Sequence, residues 1–246
     1  MISVAFAGLL SGAINTVAGG GSMLTLPALM LAGLPADIAN GSNRLATVTQ
    51  GIAAVHGFHR RGALHLQASR WPIVWTLLGA IAGASTAAIV PAKNLKPIML
   101  GTILVMAIII AITPARHNDE ANESVSINAS SMVALILAGF YGGFIQAGIG
   151  FVLLGVFNGK MHLSLVRANA LKVTCVLVFG LASFAILVFA GKVVWQPAIV
   201  LAVGSWLGAK LGVRFATRVS PGALKLVVVL IVCVACAAAW LGIGER

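Results

Sequence analysis

The run Asn15-Thr16-Val17-Ala18-Gly19-Gly20-Gly21-Ser22 interrupts an apolar segment that extends from Ile2 to Leu34. Each of three successive glycines weakens a helix by about 1 kcal/mol relative to alanine, so the run predicts a break between two half-helices. Backbone that is not helical at membrane depth is tolerated where protein buries it or where it lines a polar cavity. The break is therefore a candidate binding site.

The composition indicates that this break lies among membrane helices. Of the 246 residues, 60% are hydrophobic and 9% are charged, whereas a soluble domain carries about 25% charged residues. The apolar stretches are too long and too many for one anchor, and none alternates with period two. We therefore expect an all-α integral membrane protein. The formal net charge of +11 comes from basic residues that lie mostly between apolar segments, which is typical of topology signals and not of nucleic-acid binding.

Acidic residues are few, and none of them lies in the middle of an apolar span. They are Asp37, Asp119, Glu120, Glu123 and Glu245. Their positions argue against a carboxylate relay for protons or sodium ions and against a hydrolase that needs paired carboxylates. Cys233 and Cys236 are one helical turn apart with no histidine nearby, which favours packing over metal binding. We expect no enzyme activity, no metal and no cofactor.

The two halves of the chain have a similar plan, which predicts two inverted repeats, each a broken helical hairpin followed by three transmembrane helices. Residues 1–113 form the first repeat, 114–129 a linker and 130–246 the second repeat. The first repeat has its hairpin at 2–34 and helices at about 37–58, 71–90 and 95–113. The second has its hairpin at 130–158 and helices at about 164–189, 195–211 and 222–241.

The second break is expected at Gly142-Gly143-Phe144-Ile145-Gln146-Ala147-Gly148-Ile149-Gly150. In each break an amide side chain is followed four residues later by glycine, and Arg44 in the first half aligns with Lys172 in the second. The two amide-to-cation spacings differ by three residues, so the internal repeat is a hypothesis.

Charge in the connections predicts the topology. The most basic connections, 59–70 and 210–225, should both be cytoplasmic. They lie on the same side if the first and fifth segments are re-entrant hairpins, and on opposite sides if those segments cross the membrane fully.

Arg44 and Lys172 each lie in the helix that follows a break. A cation at membrane depth costs at least ~2.5 kcal/mol and normally faces a cavity or a partner. With no intramembrane carboxylate to pair, a small anionic substrate is the expected partner. The alternative is that both cations lie in the first turns of their helices and extend to the interface.

Half-helix N-termini carry about half a positive charge, which favours an oxyanion, and nearby amides and hydroxyls add hydrogen bonds. The alternative is that the glycines only allow close helix packing. The candidate substrate-binding residues are Arg44, Lys172, Asn15, Gly19, Gly20, Gly21, Ser22, Asn43, Gln146, Gly148, Gly150 and Asn169.

Two motifs carry a family resemblance. The run from Gly12 to Ser22, followed by Leu26-Pro27-Ala28-Leu29 and by Ala39-Asn40-Gly41-Ser42-Asn43-Arg44-Leu45, resembles the sulfite exporter TauE/SafE family, and 139–151 is similar to its second motif. The resemblance covers almost the whole chain. It implies a multi-pass transporter of the bacterial inner membrane for sulfite or an organosulfonate such as sulfoacetate. Leu171 stands where the first half has Asn43, so the two halves are not chemically equivalent.

These observations favour export of a small anion, driven by the membrane potential without a coupling ion. The alternatives are an anion importer coupled to protons or sodium, and a membrane assembly protein whose glycine breaks only pack. The expected partners are the anionic substrate and the lipid bilayer, with no nucleic acid. Apolar helices such as 98–112 and 226–241 could also face a second protomer in a homodimer.

Overall fold

The computed structural model describes residues 1–17, 20–60, 66–112 and 128–215, together with 229, 232–234 and 236–238. Regular structure in these residues is helical and no strand occurs among them, which confirms the all-α class. The helices are α1 (Ile2–Val17), α2 (Ser22–Leu31), α3 (Ala36–Arg60), α4 (Leu66–Ile89), α5 (Ala92–Ile112), α6 (Ala129–Phe144), α7 (Ile149–Leu154), which continues as a π-helical turn (Gly155–Lys160), α8 (Leu165–Phe189) and α9 (Trp195–Phe215).

Three expected features lie outside the described residues. They are Gly19, almost all of the linker over 114–129, and most of the helix expected over 222–241.

Three of the described helices are long and apolar enough to cross a membrane: Arg70–Ile89, Ala92–Ile112 and Leu165–Phe189. Large apolar side chains such as Val105 and Ile108 are about half exposed on the outer face of α5, as expected of a surface that meets lipid. The 25 residues of α3 would span about 37 Å at 1.5 Å per residue. Its low hydropathy reflects the polar side chains that it buries inside the protein.

Helix α1 packs along α9 through glycines that bring the two backbones together. A Cβ built on Gly12 would lie 2.0 Å from the carbonyl oxygen of Ser205, and one built on Gly208 would lie 1.9 Å from that of Leu9. Real Cβ atoms do not approach so closely, so these positions require glycine. Close backbone contact at small residues is a common way for membrane helices to associate.

Helix α4 packs along α6 in the same manner. A Cβ on Gly139 would lie 2.1 Å from the carbonyl oxygen of Thr76, and one on Gly79 would lie 2.0 Å from that of Ile136. The two long pairs therefore each join a helix from one half of the chain to a helix from the other half.

Helices α3 and α8 pack against each other at the centre, and they also contact α9 and α4 respectively. The start of α3 is tied to the connection between α8 and α9. There the Lys192 ammonium donates to the Asp37 carboxylate over 2.7 Å, and the Val194 amide donates to the Ser42 hydroxyl over 3.0 Å. The cations Arg44 and Lys172 thus lie on the two central helices.

We expect Gly139→Ala to lower the thermal unfolding midpoint of the protein purified in detergent. Its Cβ would meet the backbone of α4, which cannot move aside as a flexible side chain would, and overpacking of this kind typically costs about 1–3 kcal/mol. Gly101→Ala is the matched control because a Cβ there has no atom within 4 Å. A midpoint for Gly139→Ala at or above that of Gly101→Ala would contradict the close contact.

Candidate functional site

A cavity lies where α3 and α8 face the two breaks. Its lining comes from α1, α2, α3, the second break, α7 and α8, and it consists of Asn15, Ser22, Thr47, Gln50, Gly51, Ala54, Gln146, Ile149, Gly150, Lys172, Val173 and Val176. Five of the residues expected from sequence therefore meet at one cavity: Asn15, Ser22, Gln146, Gly150 and Lys172.

Lys172 brings a cation to this cavity from α8. Its side chain is 2% exposed, and its ammonium donates over 2.6 Å to the amide oxygen of Asn169, about one turn earlier. Within the described part of the chain no carboxylate pairs with it; the ion pair found there joins Lys192 to Asp37. A buried ammonium with a single neutral partner attracts an anion strongly.

Gln146 belongs to the second break and lines the cavity. Its side chain is 1% exposed, and neither the amide oxygen nor the amide nitrogen has a hydrogen-bond partner among the described residues. The amide oxygen of Gln50 on α3 is buried and unpartnered in the same way. Leaving such groups unsatisfied typically costs about 1–3 kcal/mol each. A polar ligand that enters the cavity can therefore gain hydrogen bonds that the protein alone does not make.

The turn of the second break holds Gln146 in an unusual backbone conformation. Its φ is 71°, in the left-handed region that side chains with a Cβ rarely adopt, and Gly148 follows at 70°. The backbone carbonyl of Tyr141 accepts hydrogen bonds from the amides of Ile145 and Gln146 at 2.9 and 3.1 Å. The Tyr141 hydroxyl donates to the Ala147 carbonyl. These bonds stabilise the turn that directs Gln146 into the cavity.

The two breaks touch each other at the cavity. The Ser22 hydroxyl, at the first residue of α2, donates over 3.1 Å to the backbone carbonyl of Gln146. Gly20 lies against α7, since a Cβ there would lie 2.7 Å from the ring of Phe151, and Gly21 lies against α1, since a Cβ there would lie 2.3 Å from the carbonyl of Ser11. These two candidates therefore pack the first break against α7 and α1, and they do not line the cavity.

Arg44 lies apart from the cavity, at the end of α6. Its guanidinium is fully buried and donates to the carbonyls of Gly142 and Gly143 over 2.6 and 2.5 Å. The side-chain amide of Asn40, one turn earlier, donates over 2.8 Å to the next carbonyl, that of Phe144. A helix ends with unpaired carbonyls and a partial negative charge. Here two side chains of α3 satisfy three of those carbonyls, and the role of Arg44 in binding substrate stays a prediction.

The other expected residues support their neighbours. The amide oxygen of Asn43 accepts from the Thr25 hydroxyl over 2.6 Å, which joins α3 to α2. Asn169 holds Lys172, and Gly148 is the residue that precedes α7. None of these three lines the cavity, and the described residues contain no group of three His, Cys, Asp or Glu side chains that could hold a metal.

Thr47 and Gln50 line the cavity but were not among the residues expected to bind substrate. The signal for them was present in the sequence, because Asn43, Thr47, Gln50 and Ala54 recur every three or four residues on one face of α3. The part of this face that carries Thr47, Gln50 and Ala54 is the part that borders the cavity.

Comparisons with known proteins agree across almost the whole chain. The family described as sulfite exporter TauE/SafE matches residues 4–239. The chain is similar to the probable membrane transporter protein ORF9 of a Sinorhizobium species, with 30% identity over 92% of this chain and 86% of the relative. It is also similar to the probable membrane transporter protein YfcA of Escherichia coli K12, with 27% identity over 92% of this chain and 84% of the relative. A probable membrane transporter protein of Haemophilus influenzae is 27% identical over 84% of this chain and 81% of the relative. No solved structure matches.

We expect Arg44→Met to lower the thermal unfolding midpoint in detergent, without substrate, by more than Lys172→Met does. The first substitution leaves two buried carbonyls without the donors that now satisfy them, and hydrogen bonds to charged groups contribute about 1.5–3 kcal/mol each. The second loses one hydrogen bond, to Asn169, the partner of Lys172 among the described residues, but it also removes the cost of burying the charge. An equal or larger loss for Lys172→Met would contradict the different roles that the geometry gives these cations.

Proposed function

We propose that this chain exports a small sulfur-containing anion through the cavity between the two breaks. The chain belongs to the sulfite exporter TauE/SafE family and is a membrane transporter. The family expected from the two motifs is confirmed. Sulfite or an organosulfonate is the proposed substrate, and the bacterial inner membrane is the proposed location. The observation that carries the proposal is the buried Lys172 ammonium, which faces a cavity where no described carboxylate pairs with it.

Neutral groups around Lys172 complete the proposed anion site. Gln146 brings an unpartnered amide group and Gln50 an unpartnered amide oxygen, and Ser22 lies at the N-terminal end of α2, where a helix favours negative charge. Arg44 is proposed to act indirectly: it holds the end of α6, so that the turn carrying Gln146 keeps its position.

The helix packing supports the proposal that the two halves are inverted repeats. Gly12 and Gly139 are each the eleventh residue of their helices, and so are the residues that they touch, Ser205 and Thr76. The pairs α1 with α9 and α6 with α4 therefore make equivalent contacts at equivalent positions. Two such halves, related by an axis in the membrane plane, would place a broken hairpin on each side of a central site and allow them to open in turn.

Potential-driven uniport is the proposed mechanism. A cytoplasm-negative potential favours the exit of each negative charge by about 2.3 kcal/mol per 100 mV. The described residues that line the cavity include no carboxylate that could carry a coupling proton or bind a coupling sodium ion.

Lys172→Gln should reduce sulfite flux in proteoliposomes by about tenfold to a hundredfold. A charge-assisted hydrogen bond to the anion is lost, which is worth about 1.5–3 kcal/mol. Lys93→Gln is the matched control, since it removes the same charge from an exposed position at the start of α5 and should leave flux unchanged. Equal flux for the two variants would contradict the site.

An imposed potential alone should drive sulfite across the bilayer of proteoliposomes that contain the protein. Potassium with valinomycin sets the potential, while pH and sodium are equal on both sides, and flux should reverse when the potential is reversed. Flux that requires a pH or sodium gradient would instead identify a coupled importer. No flux of any sulfur oxyanion under any gradient would favour the role in membrane assembly.

A further inference from the structure

We propose that the cavity selects its substrate by charge state and takes a monoanion, such as hydrogen sulfite or a monosulfonate, in preference to a dianion. The proposal rests on the transport function proposed above and narrows it to one charge class. Sulfate, the sulfite dianion and sulfoacetate, which carries a carboxylate as well as a sulfonate, would all be poor substrates.

The cavity lining carries few charges. Of the described residues that line it, Lys172 alone is ionisable. The elements packed around it carry other ionisable groups that do not line the cavity: Asp37, Arg44, His56, His59 and Arg60 on α3, Arg70 on α4, Tyr141 on α6, Lys160 after α7, and Arg167 and Cys175 on α8 itself. The guanidinium of Arg44 is engaged with the carbonyls of Gly142 and Gly143. The described lining of the cavity therefore carries one full positive charge, that of Lys172.

One positive charge balances one negative charge. In a buried site an uncompensated charge is far more costly than in water, because surrounding dipoles screen it poorly. The N-terminal end of α2 adds only about half an elementary charge, which does not balance a second negative charge. Even with that contribution a bound dianion would leave the site with a net negative charge, whereas a bound monoanion would not.

The unpartnered amide groups at the cavity also bear on the charge state of the substrate. Gln146 lines the cavity and both ends of its amide lack a partner among the described residues, so a donor end and an acceptor end are available whichever way the amide is turned. The donor suits an oxygen of the anion. The acceptor, together with the buried amide oxygen of Gln50, would repel a second anionic oxygen but accept the proton of a group that carries one. Since hydrogen sulfite carries such a proton and the sulfite dianion does not, the neutral groups favour hydrogen sulfite.

The proposal is tested by following flux against pH in proteoliposomes of the intact protein under a fixed potential. At constant total sulfite, flux should fall by about tenfold for each pH unit above the second pKa of sulfurous acid, because the hydrogen sulfite concentration falls in that proportion. Methanesulfonate keeps one charge throughout, so a change in its flux with pH reports on the protein and not on the substrate. It serves as the control for titration of the protein.

In this experiment charge selection can fail while transport itself, on which the proposal rests, is retained. Sulfite flux that holds constant or rises with pH above the second pKa of sulfurous acid, or sulfate flux equal to that of methanesulfonate, would overturn charge selection and leave transport intact. Absence of flux for sulfite and methanesulfonate at every pH would overturn the transport function and this proposal with it.

A second cation in the cavity should change the preference. Gln50→Lys is expected to raise the ratio of sulfate flux to methanesulfonate flux by roughly tenfold or more. Gln196→Lys makes the same chemical change at an exposed position at the start of α9, and should leave the ratio as it is. A Gln50→Lys protein that transports methanesulfonate with an unchanged ratio would contradict the proposal. Should that variant not fold, the pH profile of the unaltered protein still decides the question.

Discussion

The buried guanidinium of Arg44 satisfies the end of a helix that stops inside the protein. A helix that ends within the membrane, out of reach of water, exposes carbonyls to which lipid cannot donate hydrogen bonds. Each carbonyl left unpaired there raises the free energy of the folded protein. Arg44 donates to the carbonyls of Gly142 and Gly143, and Asn40 to that of Phe144. These bonds allow α6 to end where it does, and the turn that follows places Gln146 at the cavity. The site therefore depends on a cation that does not line it.

The two central cations differ in chemistry as well as in position. A guanidinium has five donors in a fixed plane and can hold two adjacent carbonyls at once, whereas an ammonium is a compact charge on a flexible stem. Arg44 has the arrangement suited to a pair of carbonyls, and Lys172 has one neutral side-chain partner and a place on the cavity wall. Two cations that the repeat hypothesis places at equivalent positions thus make different contacts, because the residue types and their surroundings differ.

The sequence was sufficient to predict the all-α class and the family, and it named five residues that line the cavity. It could not show what Arg44 contacts, because its partners are backbone carbonyls 98 and 99 residues away, and a carbonyl leaves no mark in the sequence. It also could not separate the two uses of glycine. Gly20 and Gly21 resemble an anion-binding helix start, but the space beside each is filled by Phe151 and Ser11, which a pattern of residues does not reveal.

The contacts between helices also limit how the two breaks can move. Glycine contacts attach α1 to α9 and α6 to α4, and such backbone contacts slide poorly because neither surface has flexible side chains. The bond between Ser22 and the Gln146 carbonyl is by comparison a single hydrogen bond between neutral groups, which contributes about 1 kcal/mol. A separation of the two breaks would therefore cost least if α1 and α2 moved together with α9, while α6 and α7 stayed with α4. The cavity, with Lys172 in its lining, lies on the boundary between these two groups of helices.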